Sequence, residues 1–346
     1  MNDAVIGALS AAELSPLLKL YFWGIDLIKA IQTIESPALT ALMKAITLLG
    51  AEMFYLPILL WLFWCIDEKK GIRCLFLLLL SAALNVFTKD LLKQPRPFNF
   101  EPALGLAFES SYGIPSGHAQ LSLTFWGFLA SWLTAGTNAH FARRRRLVWA
   151  CAIGIILLIA FTRLYLGVHF PTDILAGWLL GILVLILYYV LEPRISSLLD
   201  RGGTRARTIS AAALTLLMNM LGVDVMLGGI MLGLGAAYSL CLKHAPFSAR
   251  AVGQRPRCYA VLASRYLLGL IIAVAIALFL RLVLPGEHTL FAANPLWGMG
   301  SPYTSLAEFL LAGALGLWVG FGAPWCFLRT GLVHACDEEP RRGVLR

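Results

Sequence analysis

The chain has 346 residues, of which 59% are hydrophobic and only 14% are charged, and its mean hydropathy is +0.77. About a quarter of the residues in soluble domains are charged, so this composition excludes an ordinary water-soluble enzyme. The formal net charge of +9 does not indicate a nucleic-acid partner, because the basic residues lie in short connections between apolar segments, where they act as topology signals.

Apolar segments of about 16 to 25 residues follow one another along the chain, and a helix of that length crosses about 30 Å of hydrocarbon. They predict an all-α fold, that of a polytopic helical membrane protein embedded in the lipid bilayer. The nine predicted spans are residues 50–66, 72–92, 118–135, 147–167, 173–191, 208–222, 225–242, 258–284 and 305–328.

Residues 1–49 precede these spans and have a different pattern. Between residues 15 and 49 charged residues interrupt the apolar ones, and the pair Ser36-Pro37 breaks the stretch. This pattern is typical of one or two amphipathic helices at the membrane surface, although a tenth span stays open. We expect no removable signal peptide, because the start of the chain lacks a basic region, a short apolar region and a small-residue cleavage site.

The basic residues also predict the orientation, because Lys and Arg accumulate on the cytoplasmic side of membrane proteins. Most of the 28 basic residues lie in alternate connections. They are Lys69, Lys70, Arg73, Arg143, Arg144, Arg145, Arg146, Arg194, Arg201, Arg205, Arg207, Lys243, Arg250, Arg255, Arg257, Arg329, Arg341, Arg342 and Arg346. We therefore predict a multi-pass protein of the inner membrane with a cytoplasmic tail, residues 331–346, and extracytoplasmic connections in between.

Three polar clusters lie at the predicted extracytoplasmic ends of the second to fifth spans. The first holds Lys89 and Arg96, which are seven residues apart, close to two helical turns, so both cations can face one point. The second is the sequence Pro-Ser-Gly-His at residues 115–118. There the free N–H groups of a helix start suit an anion, and Gly117 permits its close approach.

The third cluster, Arg163, His169 and Asp173, connects the fourth and fifth spans. A carboxylate four residues after His169 can accept the imidazole Nδ1–H and leave Nε2 available as a nucleophile. Taken singly, each cluster also has a plain explanation as a snorkelling cation, a turn or a helix cap. Ionisable residues grouped at one membrane depth are costly, however, and they indicate a functional pocket.

Phosphoryl transfer is the chemistry that these residue types suit. Positive groups hold the charge on the phosphoryl oxygens, while a nucleophile and an acid lie in line with the bond that breaks. The sequence contains no paired carboxylates and no Cys/His ligand set for a divalent metal, so Lys and Arg would have to supply the positive charge themselves. We therefore expect no metal and no cofactor.

The three clusters resemble the signature of the type 2 phosphatidic acid phosphatase superfamily, which also includes glucose-6-phosphatase and the vanadium haloperoxidases. That signature is Lys, six residues, Arg-Pro; then Pro-Ser-Gly-His; then Ser-Arg, five residues, His, three residues, Asp. The chain matches it in order and spacing over about residues 24–191, with Thr162 where the family has Ser. The haloperoxidases are soluble and use bound vanadate, so the composition favours the membrane lipid phosphatase branch.

The resemblance implies a role for each matched residue. His169 would attack phosphorus and form a phosphohistidine, Asp173 would orient it, and His118 would protonate the leaving alkoxide and then activate water. The groups implied to hold the phosphoryl oxygens are Lys89, Arg96, Ser116, the backbone of Gly117 and Arg163. The resemblance also implies a phosphatase-type helical bundle over residues 50–195 and a lipid phosphate or diphosphate as the substrate.

Residues 205–330 are predicted to form a C-terminal module of four spans, a pair of transmembrane helical hairpins with a weak internal repeat. The segment that starts at Gly229 aligns with the one that starts at Gly316, and both carry small residues four apart. Such spacing is typical of close helix packing. A role in lipid access, oligomerisation or lipid movement stays open, and Arg265 and Glu308 are candidates for an ion pair across the repeat.

Three functions are compatible with the sequence at this point. The first is hydrolysis of a lipid phosphate or diphosphate, and the second is a phosphotransferase that passes the phosphoryl group from the same intermediate to another lipid or a polyol. The third, of a different class, is a lipid transporter or scaffold with an inactive pocket. Several lipid phosphates present the same group at this depth, and the sequence predicts no particular oligomeric state.

Overall fold

The computed structural model of the protein describes residues 16–135, 142–249, 257–283 and 302–333. Throughout these ranges the chain forms helices joined by turns and short loops, with no β-strand. The predicted all-α fold class is therefore confirmed. Residues 1–15 of the predicted N-terminal segment and residues 334–346 of the predicted tail lie outside the described residues.

Twelve α-helices cover most of the described chain. In chain order they are α1 (Pro16–Gln32), α2 (Pro37–Thr47), α3 (Glu52–Trp61), α4 (Glu68–Leu92), α5 (Pro97–Phe100), α6 (Gly117–Thr134), α7 (Ala142–Tyr165), α8 (Pro171–Met220), α9 (Val225–His244), α10 (Arg257–Val283), α11 (Pro302–Leu317) and α12 (Ala323–Arg329). A π-helical turn, Leu62–Ile66, extends α3, and another, Trp318–Gly322, joins α11 to α12. Proline begins several of these helices, because its fixed φ suits the first turn, where its missing N–H is not needed.

Six helical segments within the described ranges are long and apolar enough to cross a membrane. They are Glu68–Phe100, Arg143–Tyr165, Pro171–Met220, Val225–His244, Tyr259–Leu282 and Ser305–Arg329. The pair Pro37–Gly50 and Glu52–Ile66, which is bent by 47°, adds a seventh if it counts as one span. The chain is a multi-pass membrane protein, and by length and hydropathy its described residues offer six or seven spans where nine were predicted.

Two of the predicted spans lie in one helical segment that is broken by a kink. Residues 173–191 and 208–222 both lie in α8, which has 50 residues and consists of two helical parts joined across this kink. The predicted connection between them is largely helical and contains the break as this kink, across which Arg207 Nη2 donates to Asp200 Oδ1 at 2.6 Å. The helix is kinked at Gly203, whose φ of 63° is accessible to glycine.

Helix α6, predicted as the span 118–135, is not among the six apolar segments. Gln120, Ser122 and Thr124 are fully buried along it. The hydroxyl of Ser122 donates to Ala119 O at 3.1 Å, and that of Thr124 donates to Gln120 O at 2.9 Å. These side chains lower the hydropathy of α6 without needing water, because their hydrogen bonds lie inside the protein.

Helices α1 and α2 belong to the same compact unit as the polar clusters, which comprises the residues up to Tyr55 and Leu84–Ile186. The break predicted at Ser36-Pro37 is present, and Ser36 Oγ caps α2 by accepting the N–H of Leu39 at 3.3 Å. Helix α1 is amphipathic, and its buried residues pack against Leu104 and Phe170. The segment therefore packs on the unit that holds the polar clusters, and its predicted place at the membrane surface stays a prediction.

The second compact unit comprises Leu56–Ala83 and the residues from Leu187 onward. In this unit α9 packs directly on α11 through the small residues of the repeat. A Cβ at Gly233 would collide with the carbonyl oxygen of Gly313, and one at Gly316 would lie 2.7 Å from Leu234 N. The close helix packing predicted for the repeat is therefore present.

Arg265 has a different partner from the one predicted. It donates to Trp64 O and to Leu332 O, both at 2.8 Å, whereas Glu308 is exposed. The predicted ion pair was wrong. Carbonyl groups at helix ends lack intrahelical partners, and the guanidinium of Arg265 satisfies two of them.

Gly233→Ala should lower the midpoint of thermal unfolding in detergent by several degrees, because the new methyl group must displace the backbone of Gly313. Overpacking of this kind costs about 1–3 kcal/mol, more than the roughly 1 kcal/mol of helix propensity that alanine adds. Gly154→Ala is the matched control, since a Cβ there has nothing within 4 Å. Equal midpoints for the two variants would contradict the packing of α9 on α11.

Candidate active site

The three predicted polar clusters converge in the first compact unit. Lys89 lies in the last turn of α4, Arg96 precedes α5, Ser116, Gly117 and His118 begin α6, Arg163 lies in the last turn of α7, and His169 and Asp173 flank the start of α8. Gly117 and His118 are partly exposed, and the other members are buried. The structure thus brings together residues that are up to 84 positions apart in the sequence.

His169 and Asp173 form a buried pair. Nδ1 of His169 lies 3.2 Å from Oδ2 of Asp173, and the same carboxylate oxygen accepts the backbone N–H of Phe170 at 2.9 Å. Across the ring, Nη1 of Arg96 donates to Nε2 at 3.2 Å. Nε2 is therefore assigned as the acceptor and Nδ1 as the protonated nitrogen.

The surroundings of His169 keep its ring uncharged. Burial is the main cause that lowers its pKa well below the usual value, and the charges of Arg96 and Arg163 lower it further. Both effects disfavour the imidazolium form. At neutral pH the ring is therefore neutral, which is the form with a nucleophilic nitrogen.

Arg96 is held by three backbone carbonyl groups. Nε donates to Ser111 O at 2.6 Å, Nη1 to Val168 O at 2.7 Å and Nη2 to Tyr112 O at 3.1 Å. Nζ of Lys89 donates to the same Tyr112 O at 2.5 Å. The two cations therefore lie side by side on one carbonyl group.

The predicted route by which Lys89 and Arg96 meet was wrong. They are not two turns apart on one helix, because α4 ends at Leu92 and Lys93 has a left-handed φ of 47°. The chain changes direction there and resumes in α5 after Arg96. The shared Tyr112 carbonyl, not helical periodicity, brings the two cations together.

Arg163 reaches the site from α7. Its Nη1 donates to Thr47 Oγ1 at 2.8 Å, so the end of α2 contributes a residue that sequence reasoning missed. Within the described ranges its Nε has no hydrogen-bond partner, which leaves one donor for an anion. Thr162, which replaces the family's Ser, donates to Ile159 O at 2.6 Å in its own helix.

Ser116 starts the helix that faces the cations. Its Oγ accepts the N–H of Ala119 at 3.4 Å, and its own N–H donates to Asp173 O at 2.9 Å. Because this pairing anchors Ser116 to the first turn of α8, the N-terminus of α6 lies next to the His169–Asp173 pair.

An amide pair inside the helices supports that turn and was also missed. Nδ2 of Asn85 donates to Gln120 Oε1 at 2.7 Å and to Pro115 O at 3.3 Å. Asn85 lies one turn before Lys89 on α4, and a Cβ at Gly117 would stand 3.2 Å from its Oδ1. The sequence signal was the presence of two amides in apolar helices, which are costly in a membrane unless they are paired.

His118 lies in the first turn of α6, close to the short turn that follows α2. A Cβ at Gly50 would lie 3.0 Å from Cδ2 of His118, so the glycine leaves room for the ring. His118 also contributes to lowering the pKa of His169. The two imidazoles therefore lie within electrostatic reach of each other.

Glu109 bridges the two arginines of the site. Its Oε2 lies 2.7 Å from Nη2 of Arg96, and its Oε1 pairs with Nη2 of Arg163. Oε2 also lies 3.8 Å from Nε2 of His169. Sequence reasoning missed Glu109, because it lies in an irregular loop and no spacing connects it to the signature.

Helix α1 supports the loop that carries His169. Nε2 of Gln32 donates to Leu104 O at 2.9 Å and to Tyr165 O at 2.8 Å. The ring of Phe170, next to His169, packs on Tyr21 with 4.8 Å between the centroids. The ring of His169 is therefore positioned by a helix that lies outside the signature.

Comparisons with known proteins find family models that match two parts of the chain. The family model described as "PAP2 superfamily" matches residues 70–196, and the model described as "PAP2 superfamily phosphatase, transmembrane extension" matches residues 225–336. Phosphatidylglycerophosphatase B of Bacillus subtilis (strain 168) is 32% identical over 171 residues, which are 48% of this chain and 82% of that protein.

A second relative, undecaprenyl-diphosphatase of Sulfolobus acidocaldarius, is 32% identical over 164 residues, which are 46% of this chain and 73% of that protein. Among solved structures, the first transmembrane PAP2 type phosphatidylglycerolphosphate phosphatase from Bacillus subtilis is similar, with a TM-score of 0.45 and 29% identity. That match covers 54% of this chain and 90% of the other.

Asn85→Leu should weaken the binding of inorganic phosphate to the purified protein by about tenfold, because it leaves buried acceptors unpaired at a cost of about 1–3 kcal/mol and loosens the turn at Ser116. Titration calorimetry in detergent measures the affinity. Thr88→Ala is the matched control, since Thr88 lies on the same helix and its hydroxyl donates to Leu84 O within that helix. Equal affinities in both variants would show that the amide pair does not support the anion site.

Proposed function

The chain belongs to the PAP2 superfamily and is a membrane lipid phosphatase, and we propose that it works through a phosphohistidine formed on His169 at the extracytoplasmic face. The observation that carries this proposal is the neutral, buried His169 with Asp173 on one nitrogen and Arg96 on the other. A histidine held in this way has its lone pair directed at the position where the cations would gather a phosphoryl group.

In the first step Nε2 of His169 attacks phosphorus while the bond from phosphorus to the leaving oxygen breaks. The negative charge of the bound phosphoryl group favours the protonated form of His118, which gives its proton to that oxygen, and the lipid leaves as an alcohol or a monophosphate. Asp173 accepts the Nδ1–H and stabilises the positive charge that grows on the ring. The product is a phosphohistidine facing a neutral His118.

In the second step His118 takes a proton from water, and the water oxygen attacks phosphorus. The N–P bond breaks, its electron pair returns to Nε2, and inorganic phosphate leaves. Both histidines are then in their starting states. Throughout, charge on the phosphoryl oxygens is stabilised by Lys89, Arg96 and Arg163 and by the N-terminus of α6 at Ser116 and Gly117.

The substrate class follows from the pocket and from the relatives. The two relatives above are named for phosphatidylglycerophosphate and undecaprenyl diphosphate, and both lipids end in a terminal phosphoryl group. Such a group is anionic at the bilayer surface, the depth at which the ends of α4, α6 and α7 would lie. We propose a lipid monophosphate or diphosphate as the substrate.

His169→Ala should reduce phosphate release by about a thousandfold or more, because it removes the nucleophile. Purified protein in detergent with EDTA is assayed against phosphatidic acid, phosphatidylglycerophosphate, a polyprenyl diphosphate and a sphingoid phosphate. His244→Ala is the matched control, since His244 ends α9, is exposed and belongs to the other compact unit. Release that persists in His169→Ala would contradict the phosphohistidine.

The same assay distinguishes the phosphotransferase. If the wild-type protein releases no phosphate, a labelled donor lipid is offered with a second lipid or a polyol as acceptor. Label that moves to the acceptor in the wild-type protein and not in His169→Ala would assign transfer in place of hydrolysis. Label that moves nowhere would contradict both reactions.

Sidedness is tested by cysteine labelling in spheroplasts of a bacterial host. Ala103→Cys, in the exposed loop before Glu109, should react with an impermeant thiol reagent in intact spheroplasts, above the background of the wild-type chain. Lys69→Cys, exposed at the other end of α4, should react only after permeabilisation. The opposite pattern would place the site on the cytoplasmic face.

A further inference from the structure

Glu109 occupies the centre of the anion site. One carboxylate oxygen pairs with an N–H donor of Arg96 and the other pairs with an N–H donor of Arg163. The oxygen that pairs with Arg96 also lies 3.8 Å from the nucleophilic nitrogen of His169. These are the donors that the proposed reaction requires for the phosphoryl oxygens. A bound phosphoryl group and the carboxylate of Glu109 therefore compete for the same space.

The formal charges decide which ligands win this competition. Without Glu109 the net charge of the site is +2, from the three cations Lys89, Arg96 and Arg163 and the carboxylate of Asp173. Glu109 lowers this net charge to +1. A phosphomonoester carries about −1.5 to −2 at pH 7, so it replaces the carboxylate with additional charge and a further acceptor oxygen. A phosphodiester carries a single charge, and its exchange for Glu109 yields no additional attraction.

The position of Glu109 permits such an exchange. It lies in an irregular loop and its side chain is 26% exposed, whereas the side chains of both arginines are at most 3% exposed. Arg96 is fixed by carbonyl groups at Ser111, Tyr112 and Val168 that do not depend on Glu109. The carboxylate can therefore swing out while the donors stay in place.

We propose that Glu109 is a specificity-determining residue, an internal competitor that lipid monophosphates and diphosphates displace and phosphodiester headgroups do not. This inference deepens the proposed function and rests on it. A site that opens among phospholipid headgroups meets phosphodiesters in large excess over any monophosphate. Glu109 keeps them from the arginines, so they do not occupy the site as inhibitors.

The test compares Glu109→Gln with Glu101→Gln in detergent. Glu101 lies in the same loop and pairs with Lys29 at 2.7 Å, so its variant is a matched control. Dioctanoyl phosphatidic acid is the monoester substrate and dioctanoyl phosphatidylglycerol is the phosphodiester competitor. In Glu109→Gln the inhibition constant of the diester should fall by about tenfold or more and the KM of the monoester should fall as well, whereas Glu101→Gln should stay within about twofold of wild type.

A second measurement does not depend on turnover. Glu109→Gln leaves two buried arginines without their carboxylate, so its Tm should be lower than that of wild type. Inorganic phosphate should raise the Tm more in this variant than in wild type or in Glu101→Gln, because a ligand that binds the native state stabilises it in proportion to its affinity. A variant with low stability is thereby still informative.

Two results would overturn the inference. One is an unchanged inhibition constant of the diester together with an unchanged response to phosphate in Glu109→Gln. The other is a raised KM of the monoester with no gain for the diester, which would assign Glu109 to substrate binding. If the wild-type protein hydrolyses no lipid phosphate yet phosphate still stabilises Glu109→Gln more strongly, the proposed hydrolysis fails and Glu109 remains the internal competitor.

Discussion

Buried positive charge is the constraint on which the catalytic bundle depends. Arg96, Arg163 and Lys89 are at most 7% exposed, and burying a cation is costly unless each N–H finds an acceptor. Most of the acceptors are backbone carbonyl groups in loops and not carboxylates. They are the carbonyl groups of Ser111, Tyr112 and Val168. Satisfying the cations therefore fixes the shape of the loops that surround the site.

The same constraint explains why the site extends beyond the signature. The loop at Val168 adjoins His169, and it can supply a carbonyl group to Arg96 only if its own backbone is held. Helix α1 holds it through Gln32, which bonds Tyr165 O and Leu104 O. Asn85 holds the backbone at the start of α6 in the same way, through its hydrogen bonds to Pro115 O and Gln120 Oε1. These amides touch no reacting atom in the proposed reaction, and they position the residues that do.

The sequence predicted what depends on short spacing. The four-residue separation of His169 and Asp173 correctly gave their hydrogen bond, and the break at Ser36 followed from Ser-Pro. The sequence did not predict contacts between distant positions, such as the hydrogen bond of Arg163 to Thr47 or the ion pairs of Glu109 with both arginines. Such contacts leave no periodic pattern in the sequence. The helical residues on both sides of the kink in α8 were missed for a related reason, since charged residues lower hydropathy but do not end a helix that can pair them.

The two arginines divide the work of the site. Arg96 donates hydrogen bonds to carbonyl groups, to His169 and to Glu109. The position of its guanidinium is therefore fixed before a ligand binds. Arg163 is anchored at one nitrogen by Thr47 and keeps Nε without a partner among the described residues, so it can adjust to a ligand. Both lower the pKa of His169, so the buried positive charge also keeps the neighbouring imidazole neutral. A lysine in either position would supply the charge but not the planar set of donors that serves two partners at once.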